Sequence, residues 1–125
     1  MNSGLEELRL VETEILLSEI KRLKKLFAIA EDGSILLKIS TEEGMYRVLA
    51  YMIGKLIAAK LKATDDPGLT LGDLAVLSNI NVSELNTLIA KSKYFVYVGH
   101  GKFRFNTVHL KEALDELERA PITES

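Results

Sequence analysis

Apolar residues recur at helical spacing through Leu5, Leu8, Val11, Ile15, Leu16, Ile20, Leu23, Leu26 and Phe27, which predicts one amphipathic helix over about 4–27. Ser3 and Glu6 form a capping box at its start. The period then changes. Two short apolar runs, Ala28-Ile29-Ala30 and Ser34-Ile35-Leu36-Leu37-Lys38-Ile39, flank Glu31-Asp32-Gly33 and predict a small hairpin around an Asp-Gly turn. Its expected role is structural, either closing a sheet against a later hairpin or joining a partner's strand. Ser40 with Glu43 opens the most apolar helix of the chain, carrying Met45, Tyr46, Val48, Leu49, Met52, Ile53, Leu56, Ile57, Ala59 and Leu61. This pattern predicts a central helix buried on more than one side. Gly54 inside it costs about 1 kcal/mol relative to alanine, so a neighbouring element is expected to pack closely there. Asp65-Asp66-Pro67-Gly68 then breaks the chain.

The stretch 69–106 is the most structured in its signals. Thr70 with Asp73 caps a helix whose inner face is Leu71, Leu74, Ala75 and Ser78. Asn79 stands where the following turn needs a left-handed backbone, which asparagine tolerates. Asn81 with Glu84 caps a second helix, apolar at Val82, Leu85, Leu88 and Ile89. Tyr94-Phe95-Val96-Tyr97-Val98, Gly99-His100-Gly101-Lys102 and Phe103-Arg104-Phe105 then read as a hairpin with a glycine-bearing tip. Helix, tight turn, helix and hairpin in this order resemble the winged helix-turn-helix class. The resemblance rests on Leu74, Ala75, Asn79, Ile80, Leu85, Leu88 and the hairpin behind them. It implies a mainly α fold with small β-hairpins and a helical core, in which the second helix faces a nucleic-acid groove and the hairpin is the wing. A last helix, capped by Asn106 or Thr107 and ended by Pro121, carries Val108, Leu110, Ala113, Leu114 and Leu117. The chain divides into an N-terminal helix and hairpin over 1–39, a winged-helix domain over 40–120 and a tail over 121–125.

Composition narrows the functional classes. With no cysteine there is no disulfide frame, thiolate metal site or cysteine nucleophile. No signal-peptide pattern and no bilayer-length apolar run are present, so a cytoplasmic protein is expected. Absence of glutamine and tryptophan beside abundant Lys, Glu, Ile and Leu leans toward a thermophilic source. The formal net charge of −2 does not advertise a nucleic-acid binder, yet 69–106 holds four bases against two acids and is locally positive. No Walker-type lysine loop, GxGxxG or GxSxG occurs, and no enzyme activity, catalytic residue, metal or cofactor is expected. His100 and His109 lack the spacing of a zinc site and read as surface histidines.

Double-stranded DNA is the expected partner. The second helix would offer Ser83, Asn86 and Thr87 to base edges, with Glu84 and Ala90 beside them, and Lys91, Lys93, Lys102 and Arg104 to phosphates. His100 would reach the backbone or minor groove from the wing. Only Arg104 supplies a guanidinium, and none lies on the second helix. A homodimer is expected through Leu8, Ile15, Leu16, Ile20, Leu23 and Phe27. The first helix is acidic early (Glu6, Glu7, Glu12, Glu14, Glu19) and basic late (Lys21, Arg22, Lys24, Lys25), so two antiparallel copies would match in charge. The same stripe serves equally well packed across the chain's own core. Two functions follow: a dimeric DNA-binding transcriptional regulator, or a winged-helix protein–protein adaptor inside a nucleic-acid-handling complex.

Overall fold

The computed structural model describes residues 12–39 and 43–119; Leu8, the Ser3–Glu6 box, Ser40 and the 121–125 tail lie outside them. Residues 12–18 are helical, and α1 follows over Ile20–Leu26. The expected single helix is therefore broken at Glu19. The cause is local: the Ser18 hydroxyl donates to the Ile15 carbonyl at 2.7 Å, the acceptor an unbroken helix would offer Glu19. The Glu19 amide bonds to the Leu16 carbonyl at 3.2 Å instead. Phe27 is not helical either. Its extended backbone opens β1 (Phe27–Ile29), which pairs antiparallel with β2 (Ile35–Leu37) in the register Phe27↔Leu37.

This first hairpin forms a two-stranded sheet of its own, joined neither to the later hairpin nor to any other strand among the described residues. It lies on α2 (Gly44–Lys60), where Gly54 provides the seat. A Cβ there would come within 2.8 Å of Ile35 Cγ2, so only glycine lets the strand approach this closely. α2 opens at Gly44 behind the extended backbone of Glu43, and Val48, Leu49, Met52, Ile53 and Leu56 are all buried. Leu61, predicted on its apolar face, is 66% exposed because the helix ends there.

β3 (Leu69–Thr70), α3 (Leu71–Ser78), α4 (Val82–Ala90), β4 (Phe95–Gly99) and β5 (Lys102–Phe105) follow. The antiparallel sheet has the order β3-β5-β4, with Leu69↔Phe103 and Phe95↔Phe105 in register. A short 3-10 turn, Thr107–His109, capped by Asn106 through the Val108 amide, leads into α5 (Leu110–Arg119). Val108 was expected on the buried face and is 77% exposed, since it sits in that turn before α5 begins. Leu110, Ala113, Leu114 and Leu117 are buried. The N-terminal helices close over this core. Leu16, Leu23, Leu26 and Phe27 are buried in it, and Arg22 ties α1 to α5 through Asp115 at 2.6 Å and through Glu118.

Candidate nucleic-acid interface

The turn that sets α4 on the surface is built from interactions only a few residues long. Thr70 Oγ1 accepts from the Asp73 amide at 3.0 Å while the Asp73 carboxylate accepts from the Thr70 amide at 3.2 Å, a complete reciprocal cap. α3 stops at Asn79, which takes the left-handed conformation at φ 60° and ψ 33°. Buried Ser78 supports the turn, donating to the Leu74 carbonyl at 2.6 Å and accepting from the Ile80 amide at 3.2 Å. Asn81 Oδ1 then accepts from the Ser83 and Glu84 amides at 2.8 and 3.2 Å. α4 is amphipathic as a result. Leu85 and Ile89 are buried, while Val82, Ser83, Glu84, Asn86, Thr87 and Ala90 face solvent.

Lys91 closes α4 and forms no ion pair among the described residues. The structure thus gathers Ser83, Asn86, Thr87 and Lys91 on one exposed surface. The Thr87 hydroxyl donates a hydrogen bond to the Ser83 carbonyl at 3.2 Å.

The β4–β5 hairpin ends in three residues of positive φ, Gly99 at 91°, His100 at 54° and Gly101 at 74°. His100 is exposed at this tip. The Gly101 amide donates to the Tyr97 hydroxyl at 3.1 Å, and Tyr97 meets Phe103 edge-on at 5.3 Å. The hairpin's cations are engaged within the chain. Lys102 pairs with Asp66, whose other oxygen accepts from the Gly68 amide at 2.8 Å. Lys93 pairs with Glu112 and sits 5.7 Å from the Tyr94 ring centre. Arg104 reaches Glu12 at 2.7 Å.

Glu12 is a three-way clamp. One oxygen meets Lys60 at 2.6 Å; the other takes Arg104 and, at 2.8 Å, the buried Thr107 hydroxyl. Burial pushes this carboxyl up, but the hydrogen bonds from Lys60 and Thr107 and the charge of Arg104 outweigh that and hold it below the ordinary range. Lys102 and the Gly68 amide likewise lower Asp66, and Lys93 with His109 lowers Glu112.

These three counter-ions were missed by sequence reasoning. Glu12 lies 92 residues from Arg104, Asp66 36 from Lys102 and Glu112 19 from Lys93, beyond any local pattern. A second feature also lacked a local signal: an open groove of about 430 Å³ walled by Ile15, Val96, Val98 and Val108, with Glu12 and Arg104 at its polar side. Of the residues expected at a dimer contact, Leu16, Leu23 and Phe27 are buried in the chain's own core, Ile15 is half-buried, and Ile20 remains 39% exposed.

Among the described residues no cluster of His, Asp or Glu is arranged to hold a metal, and no helix is long and apolar enough to cross a membrane. Compared with protein families, curated proteins and solved structures, the chain matches none of them.

Proposed function

We propose that the chain is a winged helix-turn-helix protein that binds duplex DNA as a dimeric transcriptional regulator, with α4 in the major groove and the β4–β5 hairpin as its wing. The observation that carries this reading is the outer face of α4. Short polar side chains Ser83, Asn86 and Thr87 stand exposed in successive turns, and Lys91, which has no ion pair among the described residues, closes the helix. Asparagine suits an adenine edge, serine and threonine adapt to several bases, and lysine holds phosphate. The helix order α2-α3-α4, the short β3 between α2 and α3, and the sheet order β3-β5-β4 support the same reading.

A protein–protein adaptor is the second reading, favoured by two specific observations. Lys93, Lys102 and Arg104 already have carboxylate partners, and the sheet face bearing Val96 and Val98 opens onto an apolar groove. A DNA titration across a salt series separates the two. DNA binding predicts affinity falling steeply with salt, and a log–log slope about one unit shallower in Lys91→Ala. No binding to duplex DNA at low salt would remove the regulator reading and leave the adaptor.

A further inference from the structure

Leu17 and Leu61 are 62% and 66% exposed, and Ile20 is 39% exposed. Ile20 and Leu61 border an open hollow of about 180 Å³ between α1 and the end of α2, floored by Leu23, Phe27, Ile29 and Ile57. Leu17 stands three residues before Ile20, outside the hollow. One surface therefore carries both an apolar knob and an apolar socket, with charged residues around them. An isologous interface requires that combination, because residue i of one copy must meet residue j of the other and the reverse.

The charges set the orientation. Glu14 is exposed one turn ahead of Leu17, and Lys21 and Lys24 are exposed one turn beyond Leu17 and Ile20. None of the three holds an ion pair among the described residues, unlike Glu12, Arg22 and Lys60 nearby. Two copies crossing antiparallel bring each Glu14 opposite the other's Lys21 and Lys24, while a parallel arrangement opposes like charges. Exposed pairs contribute little affinity, so burial of the leucines holds the contact and the charges select its direction.

We infer that this surface binds a second copy of the chain about a two-fold axis, with each Leu17 seated in the partner's hollow between α1 and α2. The inference rests on the dimeric part of the proposed function and not on DNA contact. It keeps Ile20, Leu23 and Phe27 from the residues that the helical stripe selected and adds Leu17 and Leu61, which the core leaves outside.

Sedimentation equilibrium of the full chain tests it. The wild type is expected to be a dimer, and Leu17→Lys and Leu61→Lys each to weaken association by about tenfold or more. Circular dichroism should stay unchanged in both, since both side chains are exposed. Leu36→Lys, at a side chain 56% exposed on β2, should remain dimeric. Glu14→Lys should weaken the dimer, and adding Lys21→Glu and Lys24→Glu should restore it. A monomeric wild type, or dimers indifferent to Leu17→Lys and Leu61→Lys, would overturn the inference. Either result is read without DNA, so loss of this interface and loss of the DNA reading are separate outcomes.

Discussion

The two hairpins start from the same local signal, apolar runs around a glycine-bearing turn, and end in opposite situations. β1–β2 is built inward: Ile35 rests on Gly54 of α2, and an added Cβ on Gly33 would lie 2.7 Å from the Ala63 carbonyl oxygen. β4–β5 is anchored on one face and open on the other. Phe95 and Phe105 are buried, Val96 and Val98 exposed, and added Cβ atoms on Gly99 or Gly101 would meet nothing within 4 Å. Turn chemistry makes a hairpin; a seat elsewhere in the chain decides whether it becomes packing or a projecting arm. The glycine in α2 is such a seat. The tip at His100 has none, which leaves it free to meet another molecule.

Removing the anchor of the projecting hairpin should have the largest effect. Phe105→Ala empties a fully buried site and is expected to cost about 3–5 kcal/mol, read from urea midpoints at constant m. A cost near zero would mean the hairpin is held from elsewhere.

The seat of the inward hairpin comes next. Gly54→Ala gains helix propensity of about 1 kcal/mol but drives its methyl into Ile35 at a cost of about 1–3 kcal/mol, for a net loss of up to about 2 kcal/mol. In an Ile35→Ala background the same change should turn neutral or stabilising. Strict additivity in that double-mutant cycle would break the comparison.

The smallest effect is expected at Glu12→Gln, which loosens the clamp on the outer face of β5. Because the folded carboxyl titrates below its unfolded value, its contribution is complete above the ordinary carboxylate range and is lost as pH falls through the folded value. The stability gap between wild type and Glu12→Gln should therefore be widest near neutral pH and close on acidification. A gap independent of pH would show that Glu12 acts through packing alone.

The legible parts of this molecule are those whose partners lie within a turn. Thr70 with Asp73, Asn81 with the amides ahead of it, left-handed Asn79 and the glycine tip are all readable from residue type and spacing. β3 leaves no such signal, being two residues long and defined only by β5. Phe27 reads as the last apolar position of a helix until its pairing with Leu37 claims it, an override of local pattern by tertiary contact. The candidate interface divides along the same line. Exposure of Ser83, Asn86, Thr87 and Lys91 follows from the period of α4, whereas the state of Lys93, Lys102 and Arg104 depends on distant carboxylates.

Glu12 holding Arg104 and Thr107, and Arg22 holding Asp115 and Glu118, also impose an order on the birth of the protein. A ribosome delivers Glu12 and Arg22 first and these four partners roughly 90 residues later, a delay on the order of ten seconds. The stretch from α2 through β5 can assemble in the meantime, since its caps and turns are self-contained. Leu26, which lines one hollow with Leu114 and Leu117, lacks that cover until α5 emerges, and a nascent chain stalled before residue 110 would display it to any chaperone within reach.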